Sequence, residues 1–454
     1  MDIINPATEE IIITIAEDNE DTIIDKYNTL IESQPNWQAV PLKERISILS
    51  KFATLLKENV ESLAAILTSE VGKPLQQSRN EINGASNRVV WLTENAEKYL
   101  SEEIMTETNG LTEKIVYEPL GVICNISAWN FPYNVGVNVF VPALLAGNAV
   151  MYKPSEYSSL TGIEIEKLLI KAGVPDDIFK VAIGTGEVGS ILLDMPFNGY
   201  FFTGSYKTGQ IIYEKVAHKM VPCQLELGGK DPVYVADDIE NISAAAAGIA
   251  DGAFYNNGQS CCAVERIYVH EKIYNDFINA FVTEVKSWKV GLPTEDGVYI
   301  TVVAREPQVD VIYNQVQDAI EKGANILVGG EVIEGKGYGF EPTVLVDVNH
   351  EMDIMVEESF GPVIGIMKVK DDDEALKLMQ DTEYGLTAAV YSETWDRAEK
   401  ILSQIDSGTG YWNCCDRVSA PVPWSGRNHS GFGSTLSHAG IRAFTKPKSY
   451  QLRK

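Results

Sequence analysis

Between Gly121 and Ile183, short β-branched runs alternate with helix-like stretches, and this alternation constrains the fold more than any other property of the 454-residue chain. Gly121-Val122-Ile123-Cys124-Asn125-Ile126 and Asn148-Ala149-Val150-Met151-Tyr152-Lys153 read as strands buried on both faces. A helical pattern over Ser159 to Ala172 then passes through Gly173-Val174-Pro175 to the strand Phe179-Lys180-Val181-Ala182-Ile183. This alternation of short strands with helices predicts a parallel sheet with right-handed crossovers, of the doubly wound type. The pattern recurs after Glu226: a strand at Pro232 to Val235, a helix at Ser243 to Asn256, a strand at Arg266 to Val269, and helices from Ile273 and Val309. The expected class is therefore α/β, with two doubly wound parallel-sheet domains.

Before the first strand, apolar residues such as Ile46, Leu49, Phe52, Leu55 and Leu56 recur at helical spacing, which predicts a helical layer from about Ile23 to Leu100. Leu111 to Glu118 and Lys448 to Leu452 alternate in polarity like two-faced strands at the margin of the fold, where they can pair across subunits.

The net charge of −27 disfavours contact with phosphate backbones and anionic lipid, so neither a nucleic acid nor a membrane surface is an expected partner. No apolar run is long enough to span a bilayer, and Met1 to Pro6 lacks the basic and apolar regions of a signal peptide. The chain reads as cytoplasmic. The six cysteines, four of them in the adjacent pairs Cys261-Cys262 and Cys414-Cys415, read as reduced thiols. The five histidines lack ligand spacing, and no bound metal is expected.

Two short segments carry the chemistry. Gly258-Gln259-Ser260-Cys261-Cys262 places a thiol among small residues just after a helix, where its own amide can help bind an oxyanion. Glu226-Leu227-Gly228-Gly229-Lys230 sets a carboxylate in apolar surroundings, which raises its pKa toward that of a general base. Together they supply a nucleophile able to form a thioester and a base able to hydrolyse it. Gly184-Thr185-Gly186-Glu187-Val188-Gly189 matches the dinucleotide glycine pattern after a strand, and Phe202 to Gly209 offers a second strand-to-helix turn with free amides for a phosphate.

With Ala128-Trp129-Asn130-Phe131-Pro132, Lys153-Pro154-Ser155-Glu156 and Glu358-Ser359-Phe360-Gly361-Pro362 added in order, the whole chain resembles the NAD(P)-dependent aldehyde dehydrogenase superfamily, distantly its succinate-semialdehyde branch. The resemblance implies Cys261 as nucleophile, Asn130 as oxyanion donor and Glu226 as base. It implies a cofactor cleft formed by Trp129, Lys153, Ser155, Glu156, Gly184, Gly204, Ser205, Gly209, Glu358 and Phe360, with Gly184 to Gly189 near the adenine and Gly204 to Gly209 nearer the phosphates. Glu156 favours NAD over NADP, because a carboxylate accepts from ribose hydroxyls and repels a 2′-phosphate. Lys230 and Arg266 match family positions and are read as structural.

The implied layout is an NAD-binding domain at 1–100 and 121–226, a catalytic domain at 227–440, and oligomerisation strands at 101–120 and 441–454 that form a small hairpin of a homodimer or homotetramer. Tyr255, Val418 and Trp424 are expected to line an aldehyde tunnel. Two positions depart from the pattern. Asn138 stands where the succinate-semialdehyde branch places an arginine for the substrate carboxylate, leaving Arg417 as the candidate replacement, and Thr435 stands where many relatives have a glutamate. The expected activity is NAD-dependent oxidation of an aldehyde to its acid. Transfer of the acyl group to CoA, or an idle binding member of the fold, are the rivals.

Overall fold

The expected helical layer forms four helices, Glu20–Ala39, Leu42–Glu58, Val60–Val71 and Leu75–Leu100, in a computed structural model that describes residues 1–453. Pro41 ends the first pair's connection, and Gly72 closes the third helix in the left-handed conformation that suits glycine. Leu49, Phe52, Leu56, Leu63, Leu67 and Val89 turn one continuous apolar face toward the first sheet.

That sheet has six strands in the order Gly431–Phe432, Cys223–Glu226, Tyr200–Thr203, Val122–Ile126, Ala149–Lys153 and Phe179–Val181. All neighbours are parallel except the first pair. The chain winds outward from Val122–Ile126 to one side and then returns to wind outward on the other. A crevice therefore opens beyond the carboxyl ends of Val122–Ile126 and Tyr200–Thr203, where such sheets hold ligands. The second sheet has seven strands in the order Asn325–Val328, Thr343–Val346, Val363–Val369, Val264–His270, Asp231–Val235, Thr387–Tyr391 and Thr409–Trp412, parallel but for the antiparallel first pair. Its inner strands Asp231–Val235, Val264–His270 and Thr387–Tyr391 are buried on both faces, as near-continuous apolar runs require.

Leu111–Pro119 pairs with Glu103–Thr108 and with Thr445–Arg453, so the expected marginal hairpin is completed to three antiparallel strands by the C-terminal segment of the same chain. Residues 441 and 442 belong instead to the short helix Ser437–Arg442 that precedes it. One strand crosses the division drawn from the sequence. Gly431–Phe432 lies within 227–440 yet joins the first sheet, with Gly431 opposite Glu226. This return brings the segment that carries Thr435 back over Glu226.

Gly258 is fixed by two constraints at once: its φ is +71°, and a Cβ there would overlap the Gly361 carbonyl. Gly258→Ala is expected to cost about 2 to 4 kcal/mol of unfolding free energy, from the left-handed backbone and the overlap together. Urea unfolding of the variant beside the wild type measures this, and an unchanged midpoint would show that the turn gives way.

Candidate active site

Cys261 is delivered by an irregular turn at the end of a helix. Ile242–Phe254 runs into a 3₁₀ turn, Tyr255–Gly258, in which Asn256 and Asn257 both adopt φ of 55°. Asparagine tolerates this conformation better than other residues with a Cβ, and here both side chains are buried and bonded. Asn257 Nδ2 donates to Thr301 Oγ1 (2.9 Å) and Val302 O (3.0 Å), and its Oδ1 accepts from Thr301 N (2.7 Å). Asn256 Nδ2 donates to Asn130 O and Gln259 O, both at 3.1 Å. Reading the sequence from Gly258 alone missed these two residues, although Asn-Asn-Gly is itself a left-handed turn signal.

Asn130 is brought to the same place from the first sheet. Its Nδ2 donates to Gln259 O (3.1 Å), and the second N–H of that amide is free to serve an oxyanion beside Cys261. Lys73, fully buried, holds the turn from behind: Nζ donates to Asn130 O (2.7 Å), lies 3.9 Å from the centre of the Phe131 ring and pairs with Glu81. Glu81 in turn accepts from Tyr133 N (2.9 Å). Neither Lys73 nor Glu81 was singled out in the sequence.

Glu226 ends the strand Cys223–Glu226 and is almost fully buried. Burial raises its carboxyl to about 7, opposed by hydrogen bonds from Thr435 Oγ1 and Gln224 Nε2 and by the more distant Arg88 guanidinium. Thr435, at the position noted above as departing from the family pattern, thus contributes a hydroxyl donor to this carboxylate. Glu226 and Cys261 share a cavity of about 180 Å³ with Asn138, Tyr255, Val418 and Trp424, all four expected there, and with Arg88 and Asp416, which were not. Arg417 does not line it, which corrects the expectation. In the loop after Trp412, Asn413 and Asp416 have φ of 55° and 47°, and it is Asp416 that reaches the wall. Asp416 Oδ1 accepts from Cys262 Sγ (3.0 Å) and Ser260 Oγ (3.1 Å), and burial raises this carboxyl to about 7. A hydrogen bond with Cys261, together with burial, holds the Cys262 thiol well above the usual range, so Cys262 stays protonated.

A second, larger cavity of about 650 Å³ occupies the crevice of the first sheet. Lys153, Ser155 and Glu156 line it, as do Gly204, Ser205 and Thr208 at the start of the helix Tyr206–Val216, and Trp129, Glu358 and Phe360. Trp129 meets the Phe360 ring edge-on at 5.5 Å. The Glu358 carboxylate accepts from Gly229 N (3.0 Å) and is raised to about 8 by burial. A Cβ on Gly228 would collide with that carboxylate, which explains the paired glycines. Gly184 and Gly209 do not reach the wall. Gly184 takes φ of +151° to turn over Val188, and a Cβ on Gly209 would lie 2.6 Å from Leu227 Cδ2, so these two shape packing while Gly186 and Gly189 face the crevice. A helix N-terminus, a carboxylate at Glu156 and an aromatic pair spaced along one crevice suit an extended dinucleotide.

Lys230 and Arg266 are structural, as expected. Lys230 pairs with Glu265 at 2.6 Å, and Arg266 donates to the carbonyls of Lys230, Leu378 and Met379. Cys261 is the reactive group common to both cavities, while Glu226 faces only the smaller one.

The raised Glu226 carboxyl has a consequence for stability. Between pH ~4.5 and ~7 the folded protein holds a proton that the unfolded chain has released, so stability falls as pH rises through this window. Glu226→Gln does not titrate and keeps an acceptor for Thr435. Its stability relative to wild type is expected to rise from pH 5 to pH 8 by up to about 3 kcal/mol, measured by denaturant unfolding at both values. An equal difference at the two pH values would contradict the inferred burial of the charge.

Residues 1–450 match the aldehyde dehydrogenase family. The chain is 31% identical to lactaldehyde dehydrogenase of Escherichia coli over 456 aligned residues, covering 100% of this chain and 95% of that one. It is 32% identical to the NADP(+) succinate-semialdehyde dehydrogenase of Deinococcus radiodurans, over 91% of this chain and 86% of the relative. Among solved structures, betaine aldehyde dehydrogenase of Staphylococcus aureus in complex with NAD+ superposes with a TM-score of 0.95 at 29% identity, covering 100% and 92% of the two chains. On these grounds the chain belongs to the aldehyde dehydrogenase family, whose members oxidise aldehydes with NAD(P).

Proposed function

We propose that this enzyme oxidises an aldehyde to the carboxylic acid in two stages on Cys261, with NAD as the hydride acceptor and water, activated by Glu226, as the second nucleophile. The observation that carries this reading is the position of Cys261 at the junction of the two cavities, with Glu226 on the smaller one.

The Cys261 thiol gives up its proton to water as its sulfur attacks the aldehyde carbon, and the oxygen that becomes negative is received by the free Asn130 amide N–H and the Cys261 backbone N–H. A nicotinamide bound in the larger crevice beside Trp129, Glu358 and Phe360 would supply the acceptor for the hydride that leaves this carbon. Loss of hydride converts the thiohemiacetal on Cys261 to a thioester. Glu226 then takes a proton from water, the hydroxide adds to the thioester carbon, and the carboxylate departs as the thiol is restored. A carboxyl raised to about 7 is well matched to that task, because it is both available as a base near neutral pH and basic enough to draw the proton. Its presence favours water over CoA as the acyl acceptor.

Glu156 on the crevice wall, with Ser155 Oγ at 3.2 Å, supports NAD over NADP by repelling a 2′-phosphate. The strand sheet of residues 103–119 and 445–453 leaves Ile104, Met105 and Leu452 about half exposed or more (50%, 61% and 48%), which supports a homodimer or homotetramer built on this edge. All six thiols are unpaired, consistent with a cytosolic setting.

Purified protein given NAD and a panel of aldehydes, without CoA, is expected to form NADH. Cys261→Ser should abolish turnover, and Asn130→Ala should lower kcat by roughly 10²- to 10³-fold. Absence of turnover with every aldehyde, or activity that survives Cys261→Ser, would overturn the proposal and favour a binding role.

A further inference from the structure

Arg88 is the one cationic side chain on the wall of the smaller cavity, and the chemistry above does not use it. It lies in the helix Leu75–Leu100, two helical turns beyond Glu81 and on the same side. Nη1 donates to Asn134 O (3.3 Å) and Asn138 Oδ1 (3.2 Å). Among the described residues no carboxylate lies within ion-pair distance of it. The nearby carboxylates are otherwise engaged: Glu81 with Lys73 and Tyr133 N, Glu226 with Thr435 and Gln224, and Asp416 with Ser260 and Cys262. Nε and Nη2, the edge of the guanidinium that binds a carboxylate side-on, therefore have no protein acceptor.

A guanidinium stays charged at neutral pH, and Arg88, partly buried on the cavity wall with no carboxylate partner, leaves its charge for an anion that enters the cavity. The wall that holds Cys261 leaves such a place open. Asn138 is neutral, yet its carbonyl oxygen fixes Nη1 and so sets the direction of the open edge. The charge missing from residue 138 is thus supplied by a neighbouring helix.

We infer that Arg88 determines specificity, its open Nε and Nη2 edge receiving the carboxylate of a short aldehyde acid whose aldehyde carbon lies at Cys261. This rests on the aldehyde-oxidising reading proposed above. The same fixed charge disfavours cationic aldehydes, including betaine aldehyde, and leaves neutral ones without a counter-charge to match.

The test compares kcat/KM for succinate semialdehyde and for butanal, a neutral aldehyde of the same chain length, with NAD and the full-length enzyme. Wild type should prefer the acid, and in Arg88→Gln the ratio of the two should fall roughly 10- to 100-fold, chiefly through KM for the acid. Arg88→Lys, which keeps the charge without the planar fork, should recover part of the ratio. A readout on the wild type alone guards against misfolding of the variants: butyrate should protect Cys261 from iodoacetamide at lower concentration than butyramide does. Butanal turnover with no preference for the acid, an equal loss on both substrates in Arg88→Gln, or equal protection by butyrate and butyramide would overturn the role of Arg88 while leaving aldehyde oxidation standing. Failure on every aldehyde would instead remove the reading on which it rests.

Discussion

Two buried carbonyl oxygens, those of Asn130 and Gln259, hold together the parts of the site that come from distant stretches of chain. Asn130 O receives Lys73 Nζ and Asn256 Nδ2, while Gln259 O receives Asn130 Nδ2 and Asn256 Nδ2. In a buried setting each lost donor leaves an unsatisfied group, at about 1 to 3 kcal/mol apiece, so the arrangement is held as a unit. The Lys73 and Glu81 pair anchors it to the helical layer, and the left-handed Asn256 and Asn257 shape the turn that presents Cys261. The geometry of the proposed oxyanion site is therefore a by-product of satisfying buried backbone.

From that junction the two cavities divide the work. The larger one is lined by the loops that leave the carboxyl ends of the central strands, as expected at a switch in winding direction. The smaller one is narrower in chemistry as well as in volume. It gathers one permanent cation and two carboxyls raised to about 7, each raised chiefly by burial, around the thiols of Cys261 and Cys262. Desolvation makes such charges sensitive to what enters, and that is how a common scaffold acquires a preference among aldehydes.

Much of this was legible beforehand, and the exceptions have identifiable causes. The strands and crossover helices followed from apolar runs and glycine punctuation. Cys261, Glu226 and Asn130 stood in motifs specific enough to name, and the structure gathers all three around one junction. Arg417 was misjudged because a loop with two left-handed residues turns neighbouring side chains in different directions, and Asp416 took the wall. Gly184 and Gly209 matched a pattern whose glycines also serve packing, and only the surrounding side chains show which purpose applies. Arg88 was overlooked inside a long amphipathic helix. Its signal was a second charge, seven residues after Glu81, on a face otherwise filled by Ile82, Ala85 and Val89.

The account stands most directly on an acyl group passing through Cys261 before Glu226 releases it. Intact-protein mass measurement of Glu226→Gln, mixed with NAD and a substrate aldehyde and quenched in acid, tests this. The account predicts an added mass equal to the acyl group, located on the peptide that carries Cys261 and accompanied by one equivalent of NADH. NADH formation without any adduct, or an adduct on another residue, would contradict it.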